Sequence, residues 1–237
     1  MNVILCGYNW AGCKALEFLV KQKFNVYVFT HSNPDYVNSL VDYCEKLGVK
    51  YSLEKITNNN IPFKPDVICS IYYRYIIDVD VIKCVNGKIF NLHPSLLPKY
   101  KGCSSLSWAM INGEIECGFT FHYIEPKVDN GNIIIQKKIS IEDFDTGSSL
   151  YLKVMFYAME YFNKVFSLVN KGDLGVRQSD LGASYYRRGA PFNGQIDINW
   201  DDNKKDRFIR AMNYQPLPPA KIGEKEIRIL KDLKNHQ

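Results

Sequence analysis

Four short apolar runs within the first 93 residues constrain the fold more than any other feature. They are NVILC (Asn2–Cys6), NVYVFT (Asn25–Thr30), PDVICSIYY (Pro65–Tyr73) and GKIFNLH (Gly87–His93). Each is too short for a helix and too continuously apolar for a strand with one wet face. Such runs predict strands buried on both faces of a sheet. Helical spacing fills the gaps between them. WAGCKALEFLVKQ places Ala11, Ala15, Leu16 and Leu19 on one side, just after Gly7. NPDYVNSLVDYCEKLG predicts a second helix, with Asn33 as its cap, Pro34 at the first helical position and Gly48 closing it. Strand, glycine loop and helix in alternation build a parallel sheet.

The pattern then changes. SLSWAMING (Ser105–Gly113) predicts a short helix. CGFTFHYIEPKVDNGNIIIQKKISI (Cys117–Ile141) predicts two strands around an EPKVDNG turn, and one helix is expected from about Thr146 to Asn170. Residues 1–170 are therefore expected to form an α/β domain with a Rossmann-like open sheet, parallel first and mixed later. Residues 171–184 are rich in Gly, Ser and charge and predict a connector. Residues 185–237 predict a small extension. It comprises strand-and-turn material, a helix capped by Asp201 with Phe208, Ile209 and Met212 on one face, and a terminal hairpin turning at Gly223–Glu224. An extension of that size buries little by itself and is expected to pack against the first domain.

Composition excludes several classes. The chain has 237 residues, 46% hydrophobic and 23% charged, within the range of a water-soluble globular protein. No apolar run approaches the roughly 18 residues of a membrane helix, so no membrane partner is expected. The start MNVILCGYNWAG lacks the basic segment of a signal peptide. Seven dispersed cysteines without a C-x-x-C pair predict reduced core thiols and a cytoplasmic location, with neither a disulfide nor a zinc site. The net charge of +5 comes from scattered basic residues, which suits a small anionic ligand better than nucleic acid. GYNWAG (Gly7–Gly12) departs from the G-x-G-x-x-G fingerprint, so no dinucleotide site is expected.

Chemistry concentrates at NLHPSLLPKYKG (Asn91–Gly102). Asn91 and His93 are two apart at a strand end, so strand periodicity puts both side chains on one face. Ligands in open α/β sheets sit at that end of the strands. An amide there can hold a developing oxyanion and an imidazole can move a proton; the plainer role for His93 is to close a turn before Pro94. Asp129, in the turn KVDNGNI, is by type a turn former. Brought against His93, its carboxylate would orient the ring and favour its charged form. Asn, His and Asp together suit acyl transfer to an amine. His122 is a candidate second-layer partner or a core histidine, and His31 is structural or substrate-adjacent. His93, His122 and Asp129 are by type capable of holding a metal.

FNLHPSLLPKYKG, then WAMINGE, then GFTFHYIEPKVDNGNII resembles the formyltransferases that use N10-formyltetrahydrofolate. The family pattern has N-x-H-P-S-L-L-P followed by D-x-G, and His93 and Asp129 are 36 residues apart. The resemblance implies the formyltransferase fold and the catalytic set Asn91, His93 and Asp129, and it implies no metal site. It implies folate contacts along Tyr73, Tyr75, Ile76 and Ile77, at Leu97, and at Ile124 and Val128. The tail YYRRGAPFNGQIDINW with IRAMNYQPLPPA is similar to the sugar N-formyltransferases, which act on nucleotide-linked amino sugars for surface polysaccharides such as O-antigen. A dTDP-linked 4-amino or 3-amino sugar is the expected acceptor. Tyr186, or its neighbour Tyr185, would stack on the base, Arg187 and Arg188 would meet the diphosphate, and Asn193 would join them. Gly7, Tyr8, Asn9, Trp10 and Lys99 complete the expected substrate set. Trp10 is equally a core candidate, and Arg187, Arg188 and Lys99 are equally solvated. The chain is shorter than methionyl-tRNA formyltransferases and carries a tail that glycinamide ribonucleotide formyltransferases lack. A homodimer is expected by resemblance. The alternatives are another amine acceptor, tRNA or glycinamide ribonucleotide, or a non-catalytic folate- or nucleotide-binding module.

Overall fold

The computed structural model describes residues 1–35 and 37–234. In chain order the first elements are β1 (Asn2–Gly7), α1 (Asn9–Lys21), β2 (Asn25–Phe29), α2 (Leu40–Leu47), β3 (Lys50–Ser52), β4 (Val67–Ile71), α3 (Val79–Lys83) and β5 (Ile89–His93). There follow β6 (Lys101–Gly102), α4 (Ser105–Ile111), β7 (Glu116–Tyr123), β8 (Ile133–Ser140), α5 (Gly147–Glu160) and α6 (Phe162–Asn170). The last are β9 (Tyr185–Tyr186), a 3-10 turn (Pro191–Gly194), α7 (Asp202–Met212), β10 (Lys221–Ile222), β11 (Lys225–Glu226) and α8 (Lys231–Lys234).

Seven strands form one open sheet in the order β3-β2-β1-β4-β5-β7-β8. The strands from β3 to β5 pair in parallel, and β7 then pairs antiparallel with β5. This is the expected open α/β sheet, parallel first and mixed later. Ile4, Cys6, Phe29, Ile68 and Ile89 bury one face completely, together with Ile56 and Val81. Each large side chain removed from water stabilises the fold by about 2 kcal/mol. All seven cysteines are free thiols. Burial pushes Cys13, Cys44 and Cys117 up to about 12, so they stay protonated and inert. Among the described residues no helix is long and apolar enough to cross a membrane.

Two helices differ from expectation. Asn33 does not cap α2: its amide donates to the carbonyls of Pro34 and Val37 and closes a turn instead. Ser39 is the cap, accepting from the Asp42 amide at 3.1 Å, and Gly48 closes the helix in the left-handed conformation as expected. Tyr36, inside the expected helix, lies outside the described residues. The helix expected from Thr146 to Asn170 divides into α5 and α6. The Tyr161 amide bonds three residues back to Ala158, and this tightened turn separates them.

Contacts gather the chain into two units. The first comprises Met1–His93, Thr120–Gln136 and Phe156–Gln178; the second comprises Pro94–Phe119, Lys137–Met155 and Ser179–Gln237. In the second, α4 packs on α7, whose Asp201 cap accepts from Lys204 as expected. Asp145, 2% exposed, anchors the start of α5. Its carboxylate accepts from the Glu142 amide at 2.9 Å, the Ser149 hydroxyl at 2.9 Å and the Lys153 ammonium at 2.5 Å. Burial alone would raise this carboxyl. The bonds from Lys153, Glu142 and Ser149 outweigh burial and hold it below its ordinary 3.8. A depressed native value stabilises the fold above pH 3.8, and that stability is lost as pH falls through the native value. Asp145→Asn should cost about 2 kcal/mol at neutral pH and shrink the loss of stability on acidification. Urea titrations across pH measure both, and an unchanged acid limb would refute the assignment.

Candidate active site

β5 ends inside the first unit with Asn91, Leu92 and His93. Its parallel neighbour β4 sets Ser70 opposite Asn91, and its antiparallel neighbour β7 sets His122 opposite the same residue. Registered positions on adjacent strands share a face, so three polar side chains meet there. The Ser70 hydroxyl donates to Asn91 Oδ1 at 2.9 Å. Asn91 Nδ2 lies 3.2 Å from His122 Nε2. The Tyr123 carbonyl, 2.8 Å from His122 Nδ1, can only accept, so Nδ1 donates. That leaves Nε2 to accept from the Asn91 amide. Nδ2 has a second proton, which neither Ser70 nor His122 uses.

The β7–β8 turn delivers Asp129. Its Oδ2 is 3.5 Å from His93 Nδ1 and its Oδ1 is 3.4 Å from His122 Nε2, so one carboxylate faces both rings. His93 and His122 are 4% and 2% exposed, which removes most of the water that would screen this charge. Asp129 has a φ of 49°, in the left-handed region that Asp tolerates better than most residues. Gly131 permits the turn: a Cβ there would stand 2.0 Å from the Tyr123 carbonyl oxygen. Among the described residues no group of three His, Cys, Asp or Glu side chains is arranged to hold a metal ion.

The other expected residues fall into place unevenly. Tyr73 and Ile124 pack against the sheet core, Ile77 is buried within it, and the Tyr73 hydroxyl accepts from the Ile56 amide at 3.0 Å. Ile76 is 66% exposed. Tyr75 makes an edge contact with Tyr73, and Val128 is half-buried in the Asp129 turn. Gly7 lets the β1 end lie close to Gly12 and Leu40. Tyr8 stacks on His31 with ring centroids 3.9 Å apart. Asn9 turns back to accept from the Trp10 amide. Trp10 stacks on Phe156 and lines a cleft of about 280 Å³ with Lys14 and Phe18.

In the second unit, Leu97 is buried. Lys101–Gly102 is a strand paired with Tyr185–Tyr186. Gly102, at φ 91°, admits this pairing, because a Cβ would stand 2.1 Å from the Tyr186 carbonyl oxygen. The Tyr186 ring stacks on Trp108 and on Tyr100, so packing occupies it, whereas Tyr185 is 58% exposed. Lys99 pairs with Glu114 at 3.1 Å. Arg187, Arg188 and Asn193 are exposed.

A family model described as formyl transferase matches residues 17–166, a span that contains Asn91, His93 and Asp129. The chain belongs to the formyl transferase family. Over 159 residues it is 45% identical to the GDP-perosamine N-formyltransferase of Brucella melitensis biotype 1, which is 67% of this chain. The chain spans 61% of the length of that curated relative. Among solved structures it resembles WlaRD, a sugar 3N-formyl transferase crystallised with dTDP and 5-N-formyl-THF (TM-score 0.84, 24% identity, 97% of this chain and 85% of that one). At that identity the likeness is one of fold. It also resembles an N-formyltransferase from Helicobacter canadensis in complex with folinic acid and dTDP-3-aminofucose (TM-score 0.79, 26% identity, 96% and 86%).

Ser70 and Gln178 escaped the sequence reading. Ser70 had a signal: a hydroxyl in a strand otherwise apolar on both faces needs a partner. Gln178 Nε2, which donates to the Asp129 and Gly131 carbonyls at 3.0 and 2.7 Å, had none. If the formyl transferase turn is as tightly set as the Gly131 geometry requires, Gly131→Ala should cost about 2 kcal/mol by overpacking. Urea denaturation measures it, and wild-type stability would show that the turn moves off β7 freely.

Proposed function

We propose that the protein transfers a formyl group from N10-formyltetrahydrofolate to the amine of a nucleotide-linked amino-dideoxy sugar. One observation carries the reading: Asn91, His93 and Asp129 converge from β5 and the β7–β8 turn, with the carboxylate 3.5 Å from the His93 ring. The amine attacks the formyl carbon, the new C–N bond forms, and the bond from that carbon to the folate nitrogen breaks. Negative charge develops on the formyl oxygen, where the second Nδ2 proton of Asn91 stabilises it. The amine's proton passes to His93 Nε2, since Asp129 engages Nδ1, and then to the departing nitrogen. Ser70 and His122 keep the Asn91 amide from rotating.

The residues suit a folate. Exposed Ile76 offers an apolar surface to a ring, and the half-buried Val128 sits in the same turn as Asp129. We assign the pterin to backbone groups of Tyr73–Ile77 and to Ile124–Val128. The diphosphate falls to Arg187 and Arg188, whose guanidinium forks match phosphate geometry. Exposed Tyr185 suits a nucleobase better than packed Tyr186. Names of relatives point to both GDP- and dTDP-linked sugars, so the sequence expectation of dTDP becomes one arm of the test.

The protein is incubated with the folate donor and each of dTDP- and GDP-linked 3-amino and 4-amino sugars, beside initiator methionyl-tRNA and glycinamide ribonucleotide. A formylated nucleotide sugar is expected. Product only with tRNA or the ribonucleotide would overturn the acceptor, and folate binding without product would leave a binding module. Asn91→Ala and His93→Ala should each lower kcat about 100-fold or more. Near-normal turnover in both would sink the mechanism. Ser70→Ala, which frees the amide to rotate, should lower kcat about 10-fold with KM little changed.

A further inference from the structure

The segment 171–178 has the composition of a linker, yet it lies against the turn that carries Asp129. Leu174 and Val176 are 81% and 71% exposed, so buried apolar surface does not hold it there. Hydrogen bonds do. Val176 and Ile133 exchange both backbone bonds, at 2.7 and 2.8 Å. Asn132 Nδ2 donates to the Leu174 carbonyl at 2.8 Å, and the Tyr123 hydroxyl donates to that of Asp173. Gly175, at φ 63°, allows the approach: a Cβ would stand 2.7 Å from the Ile133 carbonyl oxygen. The segment ends at Gln178, whose amide nitrogen uses both protons on the Asp129 and Gly131 carbonyls.

We propose that Gln178 is a positioning residue for Asp129, its amide clamping the turn so that the carboxylate stays between His93 and His122. A non-glycine residue at φ 49° persists where its surroundings over-determine it, and Gln178 binds the carbonyl of that very residue. The bonds that Gln178 donates go to backbone carbonyls, those of Asp129 and Gly131, so its effect is conveyed through the backbone. The proposal rests on the catalytic reading above for its kinetic consequence and on geometry alone for its structural one.

The test has two arms. In the kinetic arm, Gln178→Ala lowers kcat about 10- to 100-fold while KM for both substrates and the melting temperature stay near wild type. In an Asp129→Asn background the same change has no further effect, because the clamp then holds nothing that works. In the second arm, without substrate, the imidazole nitrogen resonances of His93 move in Gln178→Ala. They also move in Gly175→Ala, which lifts the segment without altering Gln178. Multiplying kcat losses, unchanged kcat, or unmoved His93 resonances would each overturn the clamp. Absence of formyl transfer by the wild type would instead refute the proposed function, and the resonances would still decide the positioning.

Discussion

The antiparallel pairing of β7 with β5 is the constraint on which the candidate site depends. The strands β1 to β5 join the sheet in parallel, through crossovers that return the chain to the same end. One reversal sets His122 opposite Asn91 and sends the chain into the turn where Asp129 sits. Slipping that register by one residue would turn His122 to the other face. It would leave the Asn91 amide without one of its two anchors.

Around this pairing the polar groups determine one another. The Tyr123 carbonyl sets the His122 tautomer, His122 and Ser70 set the amide of Asn91, and Asp129 faces both imidazoles. Low exposure strengthens each interaction and penalises any group left unpaired. The backbone bears part of the cost: Asp129 is left-handed, Gly131 has no room for a side chain, and the 171–178 segment holds the turn from outside. Such a network specifies geometry more than it adds stability. Stability comes mainly from the apolar faces of the sheet.

Much of the fold was legible because burial writes itself into sequence. The runs around Ile4, Val28, Ile68 and Phe90 could only be buried strands, and the change of pattern after Gly113 announced the mixed part of the sheet. Boundaries were less legible where a side chain had two uses. Asn33 can cap a helix or close a turn, and the carbonyls of Pro34 and Val37 decided the matter. Nothing in the apolar spacing of residues 146–170 marks the tightened turn at Tyr161. Tyr186 reads as an exposed aromatic beside two arginines, but Trp108 and Tyr100 lie far from it in sequence and claim its ring.

The sequence by itself determined the parallel sheet and the shared face of Asn91 and His93, because both follow from periodicity within a few residues. It also determined the family, through spacing that holds over 36 residues. Tertiary structure alone decided the partners: that Ser70 meets Asn91, that His122 lies between Asn91 and Asp129, and that Gln178 grips the Asp129 turn. The physical reason is separation along the chain. Hydrogen bonds reach about 3 Å, and groups 21, 31 or 49 residues apart come that close only after the sheet has set its register.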